Sequence, residues 1–183
     1  MRTICPISAP DAVATEVPER TQVAVLGGGL TGMAVASGLR DQGVDAHLFE
    51  SGDTLAGGMA TRGTGIASTL LLDPPFRLIQ AVGRETARAI YGFSAEGVRA
   101  WGDELHQTGV VYLAKGETEA EEVELNLRAM AMLGVTAEPW PARGVTGLRD
   151  GWRVPTDGLL NLERVASRMA KTIPYSANTE AMT

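Results

Sequence analysis

A glycine pattern set between two short apolar runs constrains this chain more than any other feature of its sequence. The pattern Gly27-x-Gly29-x-x-Gly32 directly follows the apolar run Val23–Leu26, which is typical of a strand buried on both faces. A helical period of apolar residues comes next, and a second apolar run ends at Glu50. A strand, a glycine turn, a helix and a second strand in this order form the unit that binds the pyrophosphate of a dinucleotide.

Each glycine of the pattern has a physical role in such a unit. Gly27 permits the tight turn out of the strand, Gly29 lets a pyrophosphate approach the backbone, and Gly32 lets the helix pack close to the strand. The helix start, which includes Leu30 and Thr31, offers unpaired N–H groups and a partial positive charge to phosphates. We therefore expect these five residues to hold a pyrophosphate.

An acidic residue at the end of the second strand completes the pattern. Glu50 follows Gly32 at about the 20-residue spacing that places a carboxylate near the ribose hydroxyls of adenosine. Ser51 is then expected near the adenosine. Because strand, helix and acidic residue are in register, the pattern favours dinucleotide binding over a purely structural glycine turn.

Composition excludes several classes of function. Hydrophobic residues make up 44% of the chain, charged residues 21%, and the net charge is −6, as in ordinary soluble domains. No cluster of Lys and Arg supports a nucleic-acid or anionic-membrane role, and no apolar run reaches the about 18 residues of a membrane span. Cys5 is the only cysteine, so neither a disulfide nor a cysteine-built metal site is expected. We expect no metal site and a cytoplasmic enzyme.

The rest of the chain predicts alternating helices and strands. Residues 76–105 are expected to form two helices that divide near Gly92 and Ser94. Their aromatic side chains, which include Tyr91 and Phe93, are expected in a core. The later elements are, in order, a strand at residues 110–114, a helix at 116–133, a short strand at 135–140, a loop or hairpin at 144–158, a helix at 159–171 and a strand beginning at 173.

Residues 52–68 form a glycine-rich stretch with little that could pack a core. Long loops often carry functional sites, and Thr61 and Arg62 can donate hydrogen bonds to a phosphate or to a flat ligand ring. A purely structural loop is the alternative. For Arg62 a phosphate or surface contact is as consistent with the sequence as a contact with the ring.

The sequence resembles the amino-terminal half of the D-amino-acid-oxidase-like flavoproteins, which include glycine oxidase and sarcosine oxidase, over roughly residues 22–171. The glycine unit resembles the FAD fingerprint of that family. Residues 59–65 (MATRGTG) resemble its second conserved loop, with Arg62 at the arginine position of that loop. Gly63 stands where many members carry Asn.

The resemblance implies an α/β fold, with a Rossmann-like FAD-binding βαβ unit and the start of an α+β substrate domain. Residues 1–21 contain three prolines and no sustained periodicity, so they are expected to form a flexible leader. The implied domains are then the FAD-binding unit and loop at 22–75, a partial substrate or cap domain at 76–155, and a return helix and strand at 156–183.

The resemblance also implies a function. The chain would be the FAD-binding subunit of an oxidoreductase that acts on an amine or amino acid, with hydride leaving the carbon next to nitrogen for the flavin. Arg62 is the implied catalytic residue, through its charge near the flavin or a substrate carboxylate. The implied cofactor contacts are Gly27, Gly29, Leu30, Thr31, Gly32, Glu50, Ser51, Met59, Ala60, Thr61 and Arg62. A non-catalytic nucleotide-binding scaffold is the alternative function. An NAD-dependent dehydrogenase fits the glycine pattern but not the loop.

Members of this family are about twice as long as this chain. The resemblance therefore implies that the third strand of the FAD sheet and most of the substrate-domain sheet lie elsewhere. A sheet edge and apolar helix faces would then lack partners. We expect a hetero-oligomer in which a second polypeptide supplies the carboxyl-terminal half, with a truncated fragment as the alternative.

Overall fold

The computed structural model describes residues 14–58, 63–71 and 73–180. These residues fall into two compact units, the first made of residues up to 64 and from 161 onward, the second of Gly65–Leu160. Each unit has its own cluster of buried apolar side chains. The domain boundaries predicted from the sequence instead follow residues 75 and 155.

Helices and strands alternate along the chain. They are β1 (Val23–Leu26), α1 (Leu30–Asp41), β2 (Ala46–Phe49), β3 (Ile66–Ala67), α2 (Pro75–Val82), α3 (Arg84–Arg99), a short 3-10 helix (Gly102–Glu104), β4 (Leu105–His106), β5 (Val110–Lys115), α4 (Gly116–Leu133), β6 (Glu138–Trp140), β7 (Leu148–Val154), β8 (Gly158–Leu160), α5 (Leu162–Ala170) and β9 (Tyr175–Ser176).

The first unit contains a parallel sheet with the strand order β1-β2-β9. Val23 pairs with Ala46, and Leu48 pairs with Tyr175. Parallel strands need a crossover, which α1 and α5 supply as they pack against each other. The core of the unit consists of Val25, Met33, Ala36, Leu48, Leu55, Ala56, Ala166, Ala170, Ile173 and Tyr175. The predicted α/β fold is confirmed.

The third strand of this sheet lies within the chain, where residues 173 onward predicted the start of a strand. It is only two residues long, and residues beside it extend the hydrogen bonding. Thr15 donates its N–H to the Tyr175 carbonyl oxygen at 2.7 Å, and Ser176 Oγ donates to the Thr15 carbonyl oxygen at 3.2 Å. The described end of the expected leader is therefore bonded to β9, while residues 1–13 lie outside the described part.

The second unit contains an antiparallel sheet with the order β5-β7-β6 and a smaller sheet with the order β3-β8-β4. The loop or hairpin predicted at residues 144–158 contains β7, the central strand of the larger sheet. α4 has the predicted bounds and ends at Gly134, whose φ of +80° suits glycine. It packs against β7. The core of the unit consists of Leu70, Ala87, Tyr91, Met130, Leu133 and Val154.

Two predictions about the helices of this unit are wrong. The break between α2 and α3 lies at Gly83, with φ +80° and ψ 160°, and not near Gly92 and Ser94, which lie inside α3. The buried face of α3 outweighs the low helix propensity of Gly92. Tyr91 is 1% exposed as expected for a core residue, but Phe93 is 80% exposed, because two residues span about 200° around a helix.

No helix among the described residues is long and apolar enough to cross a membrane.

Candidate functional site

The turn between β1 and α1 has the geometry that its glycines predict. Gly27 has φ +99°, a conformation that residues with a β-carbon rarely adopt. A β-carbon built on Gly32 would lie 1.9 Å from the Gly27 carbonyl oxygen. Glycine at position 32 therefore permits the close approach of α1 to the turn.

The start of α1 is open and carries positive character. Gly29 is the N-cap, with φ −72° and ψ 175°, and supplies no side-chain cap. A β-carbon built on Gly29 would have no neighbour within 4 Å among the described residues, so they leave the space beside it free for a ligand. The first-turn N–H groups of Leu30, Thr31 and Gly32 have no acceptor within the helix. No acidic residue in that turn offsets the helix dipole, so the position suits an anion.

Glu50 is held beside this turn by backbone hydrogen bonds. Its N–H donates to the Ser176 carbonyl oxygen at 2.9 Å, which fixes the residue at the end of β2. Its carboxylate Oε2 accepts the Gly28 N–H at 2.5 Å, and Oε1 accepts the Gly52 N–H at 2.7 Å. Ser51 Oγ donates to Oε1 at 3.3 Å. A carboxylate has about four acceptor positions, so Glu50 keeps capacity for a ribose hydroxyl.

Two residues that sequence reasoning missed hold the turn from the other side. A β-carbon built on Gly28 would lie 2.5 Å from Leu55 Cδ2, and Ala56 donates its N–H to the Gly28 carbonyl oxygen at 2.8 Å. Leu55 is fully buried and Ala56 is 2% exposed. The prediction that residues 52–68 carry little to pack a core is wrong for this pair. Their adjacency in a polar, glycine-rich stretch was the available signal.

Four of the predicted site residues lie outside the described residues: Met59, Ala60, Thr61 and Arg62. Their contacts with a cofactor, and the catalytic role of Arg62, stay predictions. The other seven predicted residues lie in or directly beside the turn and the end of β2. The structure therefore brings together the part of the predicted site that would hold the adenosine diphosphate.

A polar cluster in the second unit was also missed. Asp157 is fully buried, and its carboxylate accepts the Ser68 hydroxyl at 3.0 Å, the Thr69 N–H at 2.9 Å and the Thr69 hydroxyl at 2.7 Å. Ser68 Oγ also bonds to the Tyr112 hydroxyl, whose ring stacks on Trp152 at 5.7 Å. No local pattern connects residues 68 and 157, so the sequence showed only a turn at Asp157.

Burial raises the pKa of the Tyr112 hydroxyl, the hydrogen bond to Ser68 opposes this, and the nearby Asp157 charge adds to it. The hydroxyl therefore stays protonated at neutral pH. It can donate a hydrogen bond to Ser68 while Ser68 donates to Asp157. Together with the two bonds from Thr69 to Asp157, these hydrogen bonds hold residues 68–69 in place. In the part of the chain that the structure describes, no group of three or more His, Cys, Asp or Glu side chains could hold a metal ion.

A comparison with protein families agrees with this geometry. The family model described as FAD dependent oxidoreductase (DAO) matches residues 22–174. The chain belongs to this family. The match includes the whole glycine turn, Glu50 and the second unit. It confirms the resemblance stated above and FAD as the cofactor.

The solved structures of several oxidases and dehydrogenases have the same fold as this chain. The glycine oxidase from Bacillus cereus ATCC 14579 is 20% identical, with a TM-score of 0.57 over 88% of this chain and 47% of that chain. The L-proline dehydrogenase from P. horikoshii is 20% identical, with a TM-score of 0.64 over 91% and 46%. The FAD-bound L-alpha-glycerophosphate oxidase from Mycoplasma pneumoniae is 16% identical, with a TM-score of 0.63 over 89% and 46%.

At these identities the likeness concerns the fold. The chain spans about half the length of each of these proteins. A search of curated proteins finds no match.

Proposed function

We propose that this chain is the FAD-binding subunit of a flavin-dependent oxidoreductase that oxidises a C–N bond of an amine or amino acid. One observation carries the proposal: the start of α1 is open and uncapped at Gly29, directly beside the Glu50 carboxylate. This arrangement suits a pyrophosphate next to a ribose. It occurs in a chain that belongs to the FAD-dependent oxidoreductases.

The residues of the turn would bind and orient the cofactor. The N–H groups of Leu30, Thr31 and Gly32 would donate to the pyrophosphate, and the absence of a β-carbon at Gly29 would let it approach. Glu50 would accept the ribose hydroxyls, with Ser51 near the adenosine. When bound, FAD supplies the redox chemistry by accepting a hydride from the carbon next to nitrogen. Arg62 would contribute positive charge near the flavin or a substrate carboxylate.

The substrate class rests on the proteins with the same fold. They include a glycine oxidase, an L-proline dehydrogenase and an L-amino acid deaminase from Proteus vulgaris, which supports a small amine or amino acid. A glycerophosphate oxidase also shares the fold, so an activity assay must decide the amine specificity.

The first test is the colour of the protein purified together with its native partners. We expect absorbance bands of oxidised flavin at about 375 and 450 nm, and release of FAD on denaturation. A colourless preparation that neither retains nor rebinds added FAD would refute the proposal.

The second test mixes the flavin-containing protein with candidate substrates in the absence of oxygen. Glycine, L-proline and L-alanine represent the proposed class, and glycerol 3-phosphate represents the competing one. Loss of the 450 nm band with an amino acid would support C–N oxidation, whereas loss with glycerol 3-phosphate alone would refute it. A flavin that no substrate reduces would favour a non-catalytic nucleotide-binding scaffold.

A further inference from the structure

The strand that leads into the cofactor turn is covered on one face only. All four residues of β1 are apolar, and Val25 is 8% exposed, yet Leu26 is 63% exposed and Ala24 is also exposed. In the neighbouring strand, residues 46–48 are buried whichever face they occupy. Apolar strands of a parallel sheet are normally buried on both faces. No described part of this chain therefore covers the β1 face that carries Ala24 and Leu26.

One edge of β1 is open as well. Val23 donates its N–H to the Asp45 carbonyl oxygen at 3.1 Å, and Gly27 donates to the Phe49 carbonyl oxygen at 2.8 Å. Because backbone groups of alternate residues point to opposite sides of a strand, those of Ala24 and Leu26 point away from β2.

Among the strands that the structure describes, β2 is the only neighbour of β1. The outer edge of β1 thus presents two N–H and two C=O groups to a further strand.

The same face of the sheet is closed farther from this edge. His47 is 6% exposed and Ser176 is 2% exposed, and His47 Nε2 lies 2.9 Å from Ser176 Oγ. The uncovered area is therefore confined to the β1 side, where the free backbone edge and the apolar side chain of Leu26 occur together.

We propose that the open edge of β1, with the side chains of Ala24 and Leu26, is the surface on which a second polypeptide carrying the other half of the fold docks by adding a strand. This inference rests on the proposed function. The chain covers 47% of the glycine oxidase and 46% of the L-proline dehydrogenase, so the matching half of the fold lies outside these residues. β1 leads directly into Gly27, so a strand paired with it reaches the rim of the cofactor site.

The chemistry of the surface defines the occupant. The docking strand pairs through its backbone, and an apolar side chain covers Leu26, as in recognition by strand addition. A second copy of this chain, pairing edge to edge, is the competing occupant. The two differ in stoichiometry, because edge-to-edge pairing of copies gives a symmetric dimer.

The test uses the protein tagged in the cells that produce it, and compares the wild type with Leu26→Lys and Val35→Lys. Val35 is the matched control, because it is a 47% exposed apolar residue on α1 of the same unit. Native mass spectrometry gives the stoichiometry, and peptide sequencing identifies each subunit. Amide hydrogen exchange of the segment 22–28 is measured with and without the partner.

We expect a complex in which this chain is joined by a polypeptide that matches the second half of the FAD-dependent oxidoreductases. Exchange at Ala24 and Leu26 should slow at least tenfold in that complex. Leu26→Lys should weaken the association at least tenfold, while Val35→Lys leaves it unchanged. Circular dichroism of both variants shows whether the first unit is still folded. If Leu26→Lys unfolds, Leu26→Ala takes its place, and we expect it to bind the partner with an affinity between those of the wild type and of Leu26→Lys.

Several results would overturn the docking surface: a lone monomer, a complex of two copies only, amides of Ala24 and Leu26 that exchange no more slowly in the complex, or a folded Leu26→Lys variant that keeps the partner. Flavin content separates this failure from that of the proposed function. A yellow complex with unprotected β1 amides overturns the surface alone, whereas a colourless complex with protected amides overturns the function alone.

Discussion

Two glycine-to-alanine substitutions in the cofactor turn distinguish an effect on FAD binding from an effect on protein stability. Gly29→Ala places its β-carbon where no described residue lies within 4 Å, at φ −72° and ψ 175°, which alanine adopts without strain. Gly32→Ala places its β-carbon 1.9 Å from the Gly27 carbonyl oxygen. The first substitution should therefore affect a ligand in that space, and the second should affect the protein itself.

The expected magnitudes follow from these distances. For Gly32→Ala, the helix and the turn must separate by roughly 1.5 Å to reach an ordinary contact of about 3.5 Å. Overpacking of this kind costs about 1–3 kcal/mol of unfolding free energy, or roughly 3–9 °C in melting temperature for a protein of this size. For Gly29→Ala, losing an N–H bond to phosphate of about 1.5–3 kcal/mol would weaken FAD binding roughly 10- to 100-fold. Alanine is a poorer N-cap than glycine by roughly 0.5–1 kcal/mol, but it also lowers the conformational entropy of the unfolded chain, which offsets this by about 0.4–1 kcal/mol.

Both variants should be measured by urea unfolding and by titration of the apoprotein complex with FAD, followed by flavin fluorescence. We expect Gly29→Ala to unfold like the wild type and bind FAD weakly, and Gly32→Ala to unfold at lower urea concentration. Wild-type FAD affinity in Gly29→Ala would refute the pyrophosphate assignment. Wild-type stability in Gly32→Ala would refute the inference that α1 requires glycine at this contact.

Three further predictions concern the groups around the two cores. Glu50→Gln removes one of the two acceptor oxygens bonded to Gly28 and Gly52. It should lower the free energy of unfolding in urea by about 1 kcal/mol and weaken FAD binding. An unchanged affinity for FAD would contradict the proposal that Glu50 binds the ribose. Asp157→Ala leaves both donors of Thr69 without their buried acceptor and should lower the free energy of unfolding by at least about 3 kcal/mol. Asp157→Asn should lower it less, and equal losses for the two variants would contradict the role of the carboxylate. Burial raises the pKa of Tyr91 from 10.0 to about 12, so the unfolded chain releases this proton first and stability should fall as pH rises from 10 to 12. Tyr91→Phe should flatten that part of a pH series of unfolding curves, and an unchanged slope would contradict the assignment.

The sequence by itself determined the elements whose cause is local. Gly27, Gly29 and Gly32 specify the turn between β1 and α1 because backbone conformation and close approach depend on the absent β-carbon. The bounds of α4 were also predictable, since an apolar period ends at Gly134, which adopts the left-handed conformation that favours glycine at a helix end. The FAD family followed from the same local pattern together with the resemblance of the later segments.

Tertiary structure decided everything that joins distant residues. Leu55 packs against Gly28, Asp157 bonds to Ser68 and Thr69, and the apolar face of α3 keeps Gly92 helical. The exposure of Leu26 likewise depends on which strands lie beside β1. The sequence of β1 is that of a strand buried on both faces, yet Leu26 is exposed. Sequence periodicity specifies which side of an element is apolar, but only the packed chain specifies what covers that side, because burial is a property of neighbours that can lie anywhere along the chain.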